Sequence, residues 1–124
     1  MNAVLTNKTI LVVDDERDVK EPIGLFLEEN GYDVVLACSG KDGLEEYEKS
    51  KPNLTLMDIK MHGMDGYDTF FKIHEKDPNA KVIFFTGFEK KDDRYEQAKK
   101  YGLIDILSKP VDPDFLLKLI KEHA

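Results

Sequence analysis

The chain has 124 residues, of which 41% are hydrophobic and 35% are charged, and its formal net charge is −7. This length and composition are typical of one folded domain with its own hydrophobic core, and they exclude a disordered chain. Because the negative charge would be repelled by phosphate groups and by anionic lipids, we expect no direct binding to nucleic acids or membranes.

Five short apolar runs predict the strands of a parallel sheet. They lack the regular polar alternation of strands that face water on one side, so we expect them to be covered on both faces. The segments between them are long enough for helices, which predicts five β-α units and an α/β fold. In chain order, the predicted strands are residues 9–13, 32–37, 54–57, 81–85 and 103–107.

The first helix pattern contains a proline that bears on where the helix begins. Apolar residues at helical spacing follow the first strand and end before Gly31, which is typical of a helix C-terminus. Pro22 would kink a helix that began near Arg17. A capping box over residues 18–21, Asp-x-x-Glu, would start the helix later and make Pro22 harmless, and we predict this later start.

Four more helices are predicted from their caps and apolar spacing. Ser39 is the expected N-cap of the second helix, with Asp42 three residues on. The third and fourth helices are expected over residues 67–76 and 92–101. The fifth begins with Asp112 followed by a proline, an N-cap and first-turn pattern. This last helix is predicted to bury Phe115, Leu116, Leu119 and Ile120.

Polar side chains follow four of the five predicted strands at the point where each strand ends. Asp14 and Asp15 follow the first strand, and Asp58 follows the third. Thr86 comes directly after the fourth strand, and Lys109 comes shortly after the fifth. Because ligands bind beyond the carboxyl ends of strands in open α/β sheets, we expect these side chains to share one edge.

Three acids at one point repel one another unless a cation lies between them. Mg²⁺ is the expected cation, because it takes hard oxygen ligands and keeps positions for phosphate oxygens. A metal ion, the Lys109 ammonium group and the Thr86 hydroxyl around one carboxylate are typical of phosphoryl transfer. Asp58 is then the predicted nucleophile, forming an acyl phosphate. Taken singly, the acidic pair could instead be a helix N-terminal charge cluster, and the Lys-Pro pair a turn.

The segments "ILVVDDE", "LTLMDIKMHGMDG", "VIFFTG" and "YGLIDILSKPV" occur in this order along the chain. In them the sequence resembles the response-regulator receiver domain of two-component signalling. The resemblance implies a flavodoxin-like fold, with a five-stranded parallel sheet in the order 2-1-3-4-5 and helices on both faces. Residues 1–124 would form a single receiver domain, with a core at about 8–122 and no output domain. A stand-alone regulator, a phosphorelay intermediate and a fragment of a larger protein all fit this expectation.

The resemblance also implies roles for the acidic residues. Asp58 would accept a phosphoryl group from a histidine kinase or a histidine phosphotransfer protein. Asp15 and Asp58 would hold Mg²⁺ through their side chains, and Lys60 through its backbone carbonyl. Asp14 would act on the ion through water.

Other implied roles belong to the later strands. Lys109 would pair with a phosphoryl oxygen, and its bond to Pro110 would be cis. Thr86 would move to donate a hydrogen bond to the phosphoryl group. Output would pass through the face formed by the fourth helix, the fifth strand and the fifth helix.

Two positions depart from the pattern of the family. The residue three before Lys109 is usually aromatic and here is Ile106, so a switch through an aromatic hydroxyl at this position is impossible. The residue four after Asp58 is usually proline and here is His62, which is either a solvated loop residue or a metal ligand or pH sensor. Lys60 occupies a position that tunes the lifetime of the phosphoryl group in the family.

Two other functions remain open at this point. One is a protein-interaction module with a receiver fold that works without phosphorylation. The other is a Mg²⁺-dependent phosphatase, although such enzymes usually carry the nucleophile after the first strand with a second Asp two residues on. We expect no substrate turnover beyond self-phosphorylation from a phosphodonor and autodephosphorylation. The single cysteine and the lack of a secretion signal or membrane span predict a cytoplasmic location.

Overall fold

The computed structural model describes residues 5–87 and 92–124, in which strands and helices alternate along the chain. None of the helices within these two segments is long and apolar enough to cross a membrane. The elements are β1 (Thr9–Val13), α1 (Arg17–Glu29), β2 (Asp33–Ala37), α2 (Gly40–Ser50), β3 (Leu54–Asp58), α3 (Gly66–Lys76), β4 (Val82–Thr86), α4 (Arg94–Lys100), β5 (Asp105–Ser108) and α5 (Pro113–His123).

The five strands form one parallel sheet in the order β2-β1-β3-β4-β5, which confirms the predicted fold. Side chains alternate between the two faces along each strand, and both faces are covered. Leu11, Val13 and Phe84 pack against α2, α3 and α4 on one face. Ile10 and Ile83 pack against α1 and α5 on the other. Burial on both faces explains why the strands are continuous apolar runs.

Three strands, β3, β4 and β5, extend one residue beyond their predicted ends, and all three extra residues are polar. Asp58 is the last residue of β3 and pairs with Phe85 of β4. Thr86 is the last residue of β4 and pairs with Ser108 of β5. Their side chains are therefore fixed by the sheet ladder rather than by loops, because each backbone is held by its neighbouring strand.

The predicted late start of α1 is wrong. The helix begins at Arg17 and contains Pro22, and the expected capping box over residues 18–21 does not form its N-terminus. The cause lies upstream, where the Asp14 side chain accepts a hydrogen bond from the Glu16 N–H at 2.9 Å. This contact fixes the turn after β1, so that Glu16 becomes the N-cap and Pro22 falls inside the helix.

The predicted helix caps elsewhere are confirmed. The Ser39 hydroxyl accepts a hydrogen bond from the Asp42 N–H at 3.0 Å, at the start of α2. The Asp112 side chain accepts one from the Asp114 N–H at 3.3 Å, at the start of α5. Gly31 follows the C-cap of α1 with φ of 92°, a backbone conformation that favours glycine.

One residue of α5 does not lie where its apolar character predicted. Leu116 and Ile120, four residues apart, are buried against the sheet, and Leu119 is half-buried. Phe115 was predicted to be buried, but 45% of its surface is exposed. Because the inner stripe of the helix runs through positions 116 and 120, residue 115 points outward in the first turn.

Candidate functional site

The four acidic residues at the carboxyl edge of the sheet lie together. Asp14, Asp15 and Glu16 follow β1, and Asp58 ends the neighbouring strand β3. Each offers one oxygen, and these oxygens all lie within 4.8 Å of one another. Asp14 is fully buried, and Asp58 is 3% exposed. Glu16 was not among the predicted ligands, and its place directly after the acidic pair is the signal that would have included it.

The Lys109 ammonium group lies against the two buried acids. Its Nζ is 2.9 Å from Asp14 Oδ2 and 3.3 Å from Asp58 Oδ2. Glu16 Oε1 is farther from it, at 3.8 Å. The backbone is held as well, because the Lys109 N–H donates to the Thr86 carbonyl at 2.9 Å. The bond that follows Lys109 is cis, as predicted.

Burial and neighbouring charges shift the pKa values of Asp58 and Lys109. Burial and the charge of Asp14 raise the pKa of Asp58 to about 6, although Lys109 and a hydrogen bond from the Lys60 N–H oppose this rise. Burial alone would lower the pKa of Lys109, but the hydrogen bond to Asp14 and the charges of Asp58 and Asp14 raise it above its ordinary value. Keeping the Asp58 carboxylate ionised therefore costs free energy in the folded chain.

Asp15 is held by the loop that follows β3. Its Oδ2 accepts a hydrogen bond from the His62 N–H at 3.1 Å and lies 2.9 Å from the ring nitrogen Nδ1 of the same residue. Burial alone would raise the pKa of Asp15, but the two contacts from His62 lower it below its ordinary value. His62 was identified from the sequence as an unusual residue, but its contact with Asp15 was not predicted.

The remaining predicted residues also lie at this edge. Thr86 is 4% exposed and lies one position beyond the Phe85 that pairs with Asp58. Lys60 contacts the Asp58 carboxylate through its backbone N–H. Gly66 allows the chain to turn tightly here, since a Cβ at that position would lie 2.5 Å from the Asp58 carbonyl oxygen.

These residues fit a bound magnesium ion. Carboxylate oxygens are the ligands that Mg²⁺ prefers in proteins, and several of them are within reach of one point. Lys109 brings one positive charge to a cluster of four acids, so a divalent cation would relieve the remaining repulsion. The donor set at this edge therefore suits a divalent metal ion beside Asp58.

Next to this edge of the sheet, Arg94 at the start of α4 contacts acidic residues at the start of α3 and before α4. The Arg94 guanidinium group donates to the Asp65 side chain at 2.7 and 3.1 Å and to the Asp92 side chain at 2.7 and 2.9 Å. It also lies over the Tyr67 ring, 4.8 Å from the centroid. Ile106 of β5 is half-buried and packs against the same side of the core, as does Tyr95 of α4.

Comparisons with known proteins agree with this geometry. Chemotaxis protein CheY of Treponema pallidum is 38% identical over 114 residues, which cover 90% of this chain and 78% of that protein. Transcriptional regulatory protein GlrR of Escherichia coli K12 is 35% identical over 113 residues, and the match covers 91% of this chain but 25% of GlrR. The crystal structure of a CheY-like receiver domain protein from Methanospirillum hungatei JF-1 aligns with a TM-score of 0.86 at 34% identity, over 96% of this chain and 93% of that one.

A family model gives the same assignment over most of the chain. The model of the response regulator receiver domain matches residues 10–121, from β1 into the last turn of α5. This range contains the four acids, Thr86 and Lys109. The chain belongs to the family of response regulator receiver domains of two-component systems.

Proposed function

We propose that this chain is a phosphorylation-dependent signalling switch in which Asp58 accepts the phosphoryl group. The observation that carries the proposal is the buried Asp58 carboxylate with the Lys109 ammonium group 3.3 Å away. Membership of the receiver family supports a histidine kinase or a histidine phosphotransfer protein as the donor. The net charge of −7 favours a protein partner over a nucleic acid or a membrane. We also propose that the chain works in the cytoplasm.

In the proposed reaction, a carboxylate oxygen of Asp58 attacks the phosphorus atom of a phosphohistidine. The P–N bond breaks, the imidazole leaves with its electron pair, and an aspartyl phosphate forms. Lys109 stabilises the charge on the phosphoryl oxygens, and Thr86 donates a hydrogen bond to one of them. With a pKa of about 6, Asp58 is mostly ionised at neutral pH and ready to attack.

The proposed magnesium ion would be held by the side chains of Asp14, Asp15 and Asp58 and by the backbone carbonyl of Lys60. Asp14 would act through water. The ion would supply positive charge next to the transferred phosphoryl group. These assignments are supported by the donor set at the edge of the sheet.

Treatment with a small acyl phosphate and Mg²⁺ tests the proposal. Intact-protein mass spectrometry is expected to show one added phosphoryl group on the parent chain and none when EDTA replaces Mg²⁺. Asp33→Asn, which changes an exposed aspartate at the start of β2, is the matched control and is expected to react like the parent. The alternative of a phosphorylation-independent interaction module predicts no adduct on any of these proteins. An adduct that persists in Asp58→Asn would place the nucleophile elsewhere.

We further propose that phosphorylation shifts the face formed by α4, β5 and α5. Because Ile106 has no hydroxyl group, the shift cannot depend on an aromatic hydroxyl at that position. The Arg94 contacts to Asp65 and Asp92 join α4 to the start of α3. We expect phosphorylation to alter these contacts first. They hold α4 in the position seen here.

Replacing Arg94 with methionine is expected to lower the free energy of unfolding by about 1 kcal/mol, because it removes a network of partly buried charged hydrogen bonds. The matched control is Arg17→Met, since Arg17 forms a solvent-exposed pair with Glu21 and its loss is expected to change stability very little. Urea unfolding at neutral pH measures both. Equal effects of the two substitutions would show that the Arg94 network does not fix α4.

A further inference from the structure

Residue 62 supplies two contacts to one oxygen of a proposed metal ligand. The His62 N–H donates to Asp15 Oδ2 at 3.1 Å, and the ring Nδ1 lies 2.9 Å from the same oxygen. In the tautomer that carries its proton on Nδ1, the ring is a second donor. The contact joins positions 47 residues apart, so it ties the loop after β3 to the end of β1.

We propose that His62 is a positioning residue for the magnesium site, which holds the Asp15 carboxylate through Oδ2 so that another acceptor position of the carboxylate faces the ion. The inference rests on the proposed function, because it assumes that Asp15 is a metal ligand. An ionised carboxylate has about four acceptor positions on its two oxygens, so both donors can stay in place when a metal binds. Hydrogen bonds of this kind orient the carboxylates that bind metals.

The identity of residue 62 decides how many of these contacts exist. A proline, which is usual at this position in the family, has no N–H and no ring donor, so it could make neither contact. Alanine would keep the backbone contact and lose the ring. Asparagine would keep both, because its Nδ2 is attached at the same branch point as Nδ1 of histidine. The three substitutions therefore separate the backbone contribution from the side-chain contribution.

Mg²⁺ affinity of the unphosphorylated protein is the direct measurement. Because the chain has no tryptophan, isothermal calorimetry or a ¹⁵N NMR titration with MgCl₂ is the suitable method. His62→Ala is expected to bind Mg²⁺ about two- to fivefold more weakly, since the ring is exposed and hydrogen bonds at exposed sites are weak. His62→Pro is expected to bind about tenfold more weakly or worse. His62→Asn is expected to stay within about twofold of the parent.

The control is His123→Ala, which changes a histidine at the end of α5, the end of the helix opposite to Lys109. It is expected to bind Mg²⁺ like the parent, and far-UV circular dichroism shows whether each variant is folded. Equal or tighter binding by His62→Ala would overturn the role of His62 and would indicate that the ring competes with the ion for Asp15. A His62→Asn variant as weak as His62→Ala would overturn the hydrogen-bond explanation. Absence of Mg²⁺ binding by the parent would instead overturn the metal site itself, and the role of His62 with it.

Discussion

Asp58→Asn is expected to lose the phosphoryl adduct completely and to be more stable than the parent by about 2 kcal/mol at neutral pH without divalent metal. The parent must keep a buried carboxylate ionised beside Asp14, which is also buried. The asparagine side chain has nearly the same shape and no charge. Lys109 keeps its contact with Asp14 at 2.9 Å, so the substitution does not leave the ammonium group without a partner.

The stability difference between Asp58→Asn and the parent is expected to depend on pH. The pKa of Asp58 is about 6 in the folded chain and near its ordinary value of 3.8 in the unfolded one. Between these values the folded state binds more protons, so the contribution of Asp58 to stability falls as the pH rises from about 4 to about 6. Above that range the loss is constant. The stability difference between Asp58→Asn and the parent should therefore be small near pH 4 and reach its full size above about pH 6.

Urea unfolding in EDTA at several pH values measures this difference. The exposed substitution Asp33→Asn is the matched control and should show no comparable gain in stability. Addition of Mg²⁺ should raise the stability of the parent more than that of Asp58→Asn, because the ion offsets the buried charge. If Asp58→Asn were less stable than the parent at neutral pH, the hydrogen bonds to Asp58 would outweigh the cost of burying its charge.

The fold was predictable because its strands are covered on both faces. Strands of this kind are continuous apolar runs, and the sequence predicts all five of them. The exact ends of the strands are harder to predict, since a polar residue after an apolar run suggests that the strand has ended. Asp58 and Thr86 nevertheless continue the ladder, because pairing depends on the neighbouring strand and not on polarity. At α1, the hydrogen bond from the Glu16 N–H to Asp14 fixes the start of the helix at Arg17, although Pro22 predicted a later start.

The candidate site was predictable to the extent that it is built from strand ends. Asp14, Asp58 and Lys109 meet because parallel strands deliver their carboxyl ends to one edge. The contact between His62 and Asp15 could not be predicted in the same way. It depends on the path of the loop after β3, and no periodic pattern in the sequence encodes that path.

Replacing Lys109 with methionine is expected to have the largest effect on stability. The Lys109 side chain is 16% exposed, and its ammonium group contacts the Asp14 and Asp58 carboxylates at 2.9 and 3.3 Å. Methionine fills a similar volume but leaves two buried carboxylates without this cation. Removal of one partner from a buried ion pair typically costs about 3–5 kcal/mol, so we expect a loss of that size at neutral pH without Mg²⁺.

The direction of the Lys109 pKa shift makes neutral pH the right condition for the measurement. Because its pKa is higher in the folded chain than its ordinary value of 10.5, Lys109 stabilises the fold fully below that value and loses this contribution only as the pH rises through its folded pKa. Lys100→Met, at the exposed end of α4, is the matched control and should change stability by less than about 0.5 kcal/mol. Mg²⁺ should restore part of the stability lost in Lys109→Met, because the ion can take the place of the missing positive charge beside Asp14 and Asp58. A Lys109→Met chain as stable as the control in EDTA would mean that the two carboxylates are not held ionised together, and the charge balance on which the proposed phosphoryl transfer depends would have to be abandoned.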